Sequence, residues 1–215
     1  MNNIITSLYA SLMPHNKIGV VHEQSFSHGK LMVALRPLTL PGDWSFISKW
    51  MSREMARSTS QPFRLPEKHL QETYSTMLLC DFAQPFIGLI NNTPGFLIEI
   101  CDGEKQLAEY ETGFYMPERG DHMINIITSP TVTNSRKELM YSVYCSLQYF
   151  FRHPQVKRIV WVLHEREKHF IKRAEKLGFA VSNRYNWPGV HVYLYSHEKF
   201  RRFSDGWPQQ IQKLV

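Results

Sequence analysis

The sequence predicts a mixed α/β (α+β) domain: one central, mostly antiparallel sheet with helices covering it. Two apolar runs, "PFIGLI" (85–90) and "GFLIEI" (95–100), flank turn-forming residues, which indicates a β-hairpin. The continuous apolar run "KRIVWVLH" (157–164) follows a helical stripe at 136–151, which predicts a buried strand reached through a helical crossover. With 215 residues, 43% of them hydrophobic and 20% charged, the chain has the composition of an ordinary globular protein.

Hydrophobic periodicity and turn residues place the elements in order. Apolar alternation or short apolar runs indicate strands, and apolar residues three or four apart indicate helices. The predicted elements are, in chain order, a short helix at 4–12, strands at 18–22 and 30–38, helices capped by Asp43 (43–52) and opened by Pro66 (66–79), the hairpin, a strand at 123–128, a helix at 136–151, a strand at 157–164, a helix at 167–177, and strands within 179–187 and 190–196. This order predicts one domain over residues 30–200, with an N-terminal arm (1–29) and a C-terminal tail (201–215).

Charge and cysteine content limit the possible partners and location. The net charge of +6 favours anionic partners, among them phosphate-bearing cofactors. Basic residues are dense in 157–176, but acids interleave with them, so we interpret that segment as a solvated helix and expect no nucleic-acid partner. The three cysteines, Cys80, Cys101 and Cys145, lie among apolar neighbours and lack metal-ligand spacing, which is typical of reduced thiols in a cytoplasmic protein.

Two further classes of protein are not expected. No stretch approaches the roughly 18 apolar residues of a membrane span, so we expect none. His164 and His169 are five residues apart, whereas zinc motifs on a helix need four, so we expect no metal site.

A histidine begins the strand at 123–128, in the segment "ERGDHMINIITSP" (118–130). Histidine titrates near neutral pH and suits general-base catalysis, so His122 is a candidate base. The alternative is that His122 is a polar residue at a strand end, which is the commoner case when such a histidine is considered alone.

Several short motifs occur together and in one order along the chain. They are Arg36-Pro37 after the first strand, Trp50-Met51 on the first helix, Pro94 and Glu99 on the second hairpin strand, and Glu118-Arg119-Gly120-Asp121-His122 before an apolar strand. Together they resemble the GNAT acyltransferases, and among these the siderophore-biosynthesis branch of hydroxylysine acetyltransferases and lysine acyltransferases. The resemblance runs from about residue 31 to 195.

The resemblance implies an enzyme in which an amine or hydroxylamine attacks an acyl-CoA thioester directly, with no metal and no covalent enzyme intermediate. It implies the GNAT fold, with a splayed strand pair at the acyl-CoA site, in a monomer or homodimer. The implied catalytic residues are His122 and, if the splayed strands bring both into one cleft, His164; the alternative for His164 is a residue that only ends a strand in a charged run. The implied substrate-binding residues are Trp50 and Glu99, and the alternative for Glu99 is a hairpin residue that faces solvent. The implied acyl-CoA-binding residues are Asn125, Ile126, Ile127, Thr128, Ser135, Arg136, Lys137, Glu138 and Leu139.

The sequence departs from these relatives at two places. Where they carry a glycine-rich turn for the pyrophosphate of coenzyme A, this chain has "TNSRKEL" (133–139), and where they carry an aspartate and an asparagine after the fifth strand it has His164 and Glu167. "SRKE" fits a capping box, in which Ser135 caps the helix and Glu138 reaches back. Arg136 and Lys137 stand in the first turn, where the helix dipole disfavours cations, and a bound anion would relieve that conflict.

The sequence therefore predicts an acyl-CoA-dependent N-acyltransferase that acylates an N-hydroxylated or primary amine in hydroxamate siderophore assembly. Two alternatives stay open at this stage. One is a GNAT enzyme acting on another amine, such as a drug, a polyamine or a protein. The other is a catalytically inactive relative that binds a partner.

Overall fold

One sheet of eight strands organises the chain, in the order β1-β2-β3-β4-β5-β6-β8-β7. The computed structural model describes residues 12, 19–57, 67–109, 115–182 and 188–204. The strands are β1 (His22–Phe26), β2 (Leu31–Pro37), β3 (Ala83–Ile90), β4 (Thr93–Asp102), β5 (Asp121–Thr128), β6 (Arg158–His164), β7 (Ala180–Val181) and β8 (Val190–Ser196). The helices are α1 (Trp44–Arg57), α2 (Glu67–Leu79), α3 (Gly103–Glu109), α4 (Pro130–Asn134), α5 (Arg136–Phe150), α6 (Lys168–Leu177) and α7 (His197–Phe203).

Strand pairing is antiparallel except between β5 and β6, which are parallel. This exception follows from the crossover, because α5 returns the chain to the edge at which β5 began. The predicted fold class, a mostly antiparallel sheet flanked by helices, is confirmed.

Helices cover both faces of the sheet. On one side, which we call the α5 face, α5 and α6 pack against alternate strand residues in the larger cluster, which includes Ile98, Ile126, Leu139, Leu147 and Trp161. On the other side, the α1–α2 face, a smaller cluster contains Ile47, Trp50, Met51, Tyr74, Leu97 and Ile127. Successive strand residues point to opposite faces, so neighbours in the sequence of β4 or β5 belong to different clusters.

The N-terminal part of the chain differs in detail from the prediction. A strand was expected at 18–22, whereas β1 begins at His22 and pairs with β2 through His22 and Leu35. This portion of the predicted arm therefore belongs to the sheet. The helix expected at 4–12 falls, apart from Leu12, outside the described residues, as do residues 205–215 of the predicted tail.

Asp43 does not act as the helix cap that the sequence predicts. Its carboxylate accepts two hydrogen bonds from Arg36, at 2.6 and 2.7 Å, and one from the backbone N–H of Thr39, at 2.9 Å. Burial by itself would raise the pKa of Asp43, but the hydrogen bonds from Arg36 and Thr39 outweigh it and lower that pKa. The Arg36-Pro37 motif thus ties the end of β2 to the start of α1.

Three short helices were not predicted, and one helix is longer than expected. The short helices α3, α4 and α7 have seven, five and seven residues, too few to give a clear apolar stripe. The first helix, expected to end near Ser52, continues to Arg57. None of the described helices is long and apolar enough to cross a membrane.

Candidate active site

The β3–β4 hairpin positions Glu99 in the middle of the sheet. Its turn is made by Asn91 and Asn92, with φ values of 48° and 65°, the left-handed conformation that a tight two-residue hairpin needs. In the hairpin Glu99 lies opposite Pro85 of β3, and in the pairing of β4 with β5 it lies opposite Asn125. Because Leu97 and Ile127 lie in the α1–α2 cluster, Glu99 and Asn125 also point to the α1–α2 face.

Two donors hold the Glu99 carboxylate. The hydroxyl of Tyr74, on α2, donates a hydrogen bond to Oε1, and Nδ2 of Asn125 donates to Oε2 at 3.0 Å. Tyr74 is 2% exposed, Glu99 is half-buried and Asn125 is exposed. We call these three residues the Glu99 cluster. It is closed on the Tyr74 side and open to solvent on the Asn125 side.

The surroundings of Glu99 favour its protonated form. Burial raises the pKa of the Glu99 carboxyl, and the hydrogen bonds from Tyr74 and Asn125 oppose that rise without cancelling it. The same burial, with the charge of Glu99 nearby, raises the pKa of Tyr74 well above its usual value, so the phenol stays a hydrogen-bond donor. A carboxylate with increased proton affinity is suited to take a proton from an amine near neutral pH.

Strands β5 and β6 diverge next to this cluster. Their pairing runs from Asp121 with Arg158 to Ile124 with Trp161 and stops there, although β5 continues to Thr128 and β6 to His164. The carboxyl ends of the two parallel strands thus form a gap in the sheet. This is the splayed strand pair that the resemblance implies.

The backbone of β5 points alternate groups into that gap. The carbonyl of Gly120 accepts hydrogen bonds from the N–H groups of Lys157 and Arg158, at 2.9 and 3.2 Å, whereas the N–H of Ser129 donates to the carbonyl of Gly95, in β4. Even-numbered residues of β5 therefore direct their backbone groups toward β6. At Ile126 those groups face the gap, where an extended ligand could hydrogen-bond as an added strand.

His122 lies on the other side of the sheet from the Glu99 cluster. It alternates with Ile124 and Ile126, both in the cluster on the α5 face, and it is 2% exposed. Its Nδ1 is 3.2 Å from the carbonyl oxygen of Gly120, and Nε2 has no hydrogen-bond partner among the described residues. Burial lowers the pKa of His122, which keeps the imidazole neutral. The role of His122 as base stays a prediction, and its position does not favour it.

The structure does not bring His122 and His164 into one cleft. His122 pairs with Ile159, and His164 lies five residues further along β6, about 16 Å away at the usual rise of a strand. His164 also alternates with Val160 and Val162, whose cluster lies on the α1–α2 side with Met123. The predicted pair of histidines is therefore wrong, because the two residues lie at different levels and on opposite faces. His164 alone shares the gap and the face of Asn125.

The end of β6 is held by Glu167 in place of the relatives' asparagine. Its side chain accepts a hydrogen bond from the backbone N–H of His164 at 2.7 Å, and its own N–H donates to the His164 carbonyl at 2.8 Å. The imidazole Nδ1 of His164 lies 3.2 Å from the N–H of Arg166. These contacts fix the turn that leads from β6 into α6, and they orient the His164 ring.

The residues predicted to bind pyrophosphate stand at the start of α5, after β5. Ser135 is the N-cap, and its hydroxyl accepts a hydrogen bond from the N–H of Glu138 at 3.2 Å. The N–H of Leu139 already bonds to the carbonyl of Ser135, and its side chain is fully buried. The amides left for an anion are thus those of Arg136 and Lys137, of which the Lys137 side chain is exposed.

Half of the predicted capping box is absent. The N–H of Ser135 donates to Thr131 and Val132, at 3.2 and 3.1 Å, and not to the Glu138 carboxylate. The reason is α4, which ends at Asn134, so that the Ser135 N–H closes its last turn. The glycine-free segment thus forms a short helix where the relatives carry a glycine-rich turn.

Sequence reasoning missed two residues of this region, Tyr74 and Asp121, and the contact of a third. Asn125, which the resemblance implies for acyl-CoA binding, donates a hydrogen bond to Glu99, and Tyr74 lies on a helix that no motif covers. Asp121, inside the "ERGDH" segment, is 2% exposed and accepts two hydrogen bonds from Arg158, both at 2.7 Å. The acid next to His122 is therefore an anchor between β5 and β6. Only the pairing of Glu99 with its cross-strand neighbour could have pointed to the contact of Asn125 in advance.

Residues 39–186 match the family described as "Acetyltransferase (GNAT) domain". The chain belongs to this family. Its membership confirms the predicted enzyme class, an acyl-CoA N-acyltransferase, together with the acyl-CoA co-substrate. Among curated protein sequences, no significant match to this chain was found.

Solved structures of similar fold cover most of the chain. An uncharacterised protein of Bacillus halodurans, bh2621, has a TM-score of 0.74 at 19% identity and covers 91% of this chain and 100% of its own. Aminoglycoside acetyltransferase AAC(6')-Ib in complex with coenzyme A has a TM-score of 0.66 at 19% identity, covering 80% and 99%. Spermidine N-acetyltransferase of Vibrio cholerae in complex with CoA and spermine has a TM-score of 0.57 at 16% identity, covering 79% and 98%. At such identities the likeness establishes the fold.

Metal ligands do not cluster in the part of the chain that the structure describes. No group of three or more histidine, cysteine, aspartate or glutamate side chains there could hold a metal ion. Glu99, Asn125 and His164 point to the same face of the sheet, next to the backbone of β5 that borders the gap. These groups can bind, orient and deprotonate an amine.

Proposed function

We propose that this GNAT enzyme transfers an acyl group from acyl-CoA to one primary or N-hydroxylated amine, and that Glu99 binds the reacting nitrogen and accepts its proton. The observation that carries the proposal is the Glu99 cluster beside the gap between β5 and β6. A carboxylate there, held by Tyr74 and Asn125, lies on the face opposite α5. The acceptor would approach from that face, and the acyl-CoA from the gap.

The acyl-CoA would use groups on both sides of the gap. Its pantetheine arm would lie along β5 as an added strand, next to the backbone of Ile126. Its pyrophosphate would bind the first amides of α5 with the side chains of Arg136 and Lys137. Ser135 would position these amides as the helix cap, as its contact with Glu138 supports.

The chemical steps follow from this placement. The nitrogen attacks the thioester carbon and forms a C–N bond, while the carbonyl oxygen takes up the negative charge. A backbone N–H of β5 that points into the gap would donate to that oxyanion. The nitrogen proton passes to Glu99, and the intermediate collapses by breaking the C–S bond and releasing coenzyme A as the thiolate. The thiolate takes a proton from solvent, and Glu99 returns its proton to solvent at the open Asn125 side. His164, on the same face and at the end of β6, would donate a hydrogen bond to the thiolate through Nε2–H, because its Nδ1 accepts from the N–H of Arg166.

The arrangement of charge supports an acceptor with one reacting amine on an apolar body. Asp43 and Asp121, the described acids whose side chains are buried, are paired with Arg36 and Arg158. Among the described residues, Glu99 has no cationic partner, and it lies on the face of the sheet where Trp50 and its apolar neighbours pack. A single carboxylate matches an acceptor with a single reacting nitrogen, whereas a polycation would need several carboxylates. Trp50 would contact the body of the acceptor.

The motifs shared with siderophore acyltransferases extend this proposal to hydroxamate assembly. Trp50-Met51 and the hairpin glutamate lie on the acceptor side, where a hydroxylysine-like substrate would bind. An N-hydroxylated amine stays neutral at lower pH than an alkylamine, so it matches a carboxylate base better. The product would be an N-acyl hydroxylamine, a bidentate iron ligand.

A second acceptor class is favoured by the structural neighbours. An aminoglycoside acetyltransferase and a spermidine N-acetyltransferase share most of the fold, at 19% and 16% identity. Both names describe acetylation of an amine on a larger molecule. An amine of a drug or polyamine is therefore the competing acceptor.

Steady-state assays of coenzyme A release would test the proposal. Acetyl-, succinyl- and longer acyl-CoA would each be paired with N6-hydroxylysine, lysine, an aminoglycoside and spermidine. We expect the highest kcat/KM with N6-hydroxylysine or lysine. A kcat/KM more than about tenfold higher with the aminoglycoside or spermidine would instead favour the second acceptor class, an amine of a drug or polyamine. Absence of transfer with every pair, despite binding of acyl-CoA by calorimetry, would show an inactive relative.

A further inference from the structure

Tyr74 comes from α2, outside every motif that relates this chain to other acyltransferases, yet its hydroxyl reaches the carboxylate of β4. We infer that Tyr74 is a positioning residue, which holds the Glu99 carboxylate in the orientation and protonation state that acyl transfer requires. This inference rests on the proposed function, in which Glu99 accepts the proton of the amine. Tyr74 itself would touch neither substrate.

The geometry gives Tyr74 one function on the carboxylate and Asn125 another. Tyr74 approaches Oε1 from the protein interior, where it is 2% exposed, and Asn125 approaches Oε2 from the solvent side at 3.0 Å. A glutamate has freely rotating side-chain bonds that an exposed position leaves mobile. With both oxygens hydrogen-bonded, the carboxylate plane of Glu99 is fixed, and a lone pair on Oε2 can still face the gap.

Packing alone would not explain a tyrosine at this position. The ring lies in the α1–α2 cluster with Trp50, Leu97 and Ile127, all apolar, and a phenylalanine would fill the same space. A buried hydroxyl without a partner is unfavourable, and here the Tyr74 hydroxyl donates to Glu99. The hydroxyl of Tyr74 is therefore explained by its hydrogen bond to the Glu99 carboxylate and not by packing.

Tyr74 also sets the direction of a measurable pH effect. Burial raises the pKa of Glu99, and the hydrogen bond from Tyr74 lowers it. Removing that donor would leave burial less opposed, so the Glu99 pKa would rise further. A base must be deprotonated to act, so the acid limb of the rate would move to higher pH. A tyrosine that only fills space would not change this limb.

The experiment compares Tyr74→Phe with the parent enzyme and with Tyr141→Phe. Tyr141, on α5, is 2% exposed like Tyr74, but it packs against Phe26 on the α5 face. Each variant is assayed from pH 5 to 9 with the preferred acceptor. In parallel, ¹³C NMR follows the side-chain carboxyl of glutamate in the enzyme without substrates, with the Glu99 resonance assigned by its loss in Glu99→Gln. A thermal melt checks that each variant is folded.

For Tyr74→Phe we expect kcat to fall by about tenfold or more, with KM for acyl-CoA unchanged. The acid limb and the Glu99 titration should both move to higher pH, and Tyr141→Phe should match the parent. Parental kcat with an unmoved limb in Tyr74→Phe would overturn the inference. If the parent transfers no acyl group at all, the proposed function fails, and the NMR titration still decides: an upward shift supports the hold of Tyr74 on Glu99, and an unchanged titration refutes it.

Discussion

Trp50 packs on the face of the sheet where we propose that the acceptor binds. It is 8% exposed, contacts Phe46 with ring centroids 4.9 Å apart and the rings tilted, and lies in the same cluster as Tyr74. Its neighbour Met51, which is 9% exposed, lies in that cluster too. If Trp50 also contacts the acceptor, as we propose, one residue links fold stability to substrate binding.

Truncating the Trp50 side chain should therefore lower the stability of the fold, whatever its effect on substrate binding. We expect Trp50→Ala to lower the free energy of unfolding by about 3–5 kcal/mol, because a large buried ring is replaced by a cavity. Denaturant titration of the variant against Trp50→Phe, which keeps most of the packing, measures the loss. An unchanged midpoint for Trp50→Ala would mean that its ring does not pack against the sheet.

Buried histidines make the fold sensitive to acid. His22, on β1, is 5% exposed and stacks on Tyr149, and burial, together with the charge of Arg152, lowers its pKa from 6.5 to about 4. Because the unfolded chain binds the proton more readily, stability is complete above pH 6.5 and is lost as the pH falls toward 4. This single group accounts for a loss of up to about 3 kcal/mol.

The variant His22→Gln, which does not titrate, tests this expectation. Thermal or urea unfolding of both proteins between pH 7 and 4 should show a smaller acid loss in the variant. The carboxylate of Asp43, whose pKa is lowered, loses its contribution only at more acidic pH, so the two effects separate. Parallel stability curves for the parent and His22→Gln would contradict the assignment.

At the scale of elements, periodicity predicts long helices and strands well and short ones badly. The run 190–196 is β8 as predicted, and the stripe at 136–151 is α5 to within one residue. The five-residue α4 has no such stripe, and its formation removes half of the expected capping box by engaging Ser135. Which backbone groups are free at the start of a helix thus depends on the element before it. A four-residue motif carries no information about that element.

The start of α5 has a consequence for cofactor binding. With α4 in place of a glycine-rich turn, side-chain charge should contribute more of the pyrophosphate affinity. We expect Arg136→Ala with Lys137→Ala to weaken acyl-CoA binding by roughly 1.5–3 kcal/mol for each charge-assisted bond lost. The difference should shrink as the salt concentration rises.

Calorimetry with coenzyme A measures this loss. Arg201→Ala with Arg202→Ala on α7 removes two positive charges at the opposite edge of the sheet, where β6 begins, and serves as the control. Equal binding by the parent and the α5 variant would exclude a role of these cations in holding phosphate. Equal weakening in both double variants would indicate a general effect of net charge.

For the whole molecule, the sequence predicts the fold but not which face carries the chemistry. The order of strands and helices, the hairpin and the crossover are enough to predict the sheet and its parallel pair. The side chain of a strand residue changes face with each step, so His122 and Asn125, three residues apart, lie on opposite sides of the same strand. The register between β4 and β5, in which Glu99 lies opposite Asn125, shows that Asn125 and not His122 shares the face of Glu99. We propose that the acceptor binds on that face.

The central claim is that the proton of the amine passes to Glu99 on the α1–α2 face, and not to His122 on the α5 face. The most direct test is the dependence of kcat/KM on pH for the parent, Glu99→Gln and His122→Asn. We predict that Glu99→Gln binds acyl-CoA normally, loses about 10²–10⁴-fold in rate and lacks the acid limb, while His122→Asn keeps the limb at the parental pH. An acid limb that disappears in His122→Asn and persists in Glu99→Gln would contradict the account.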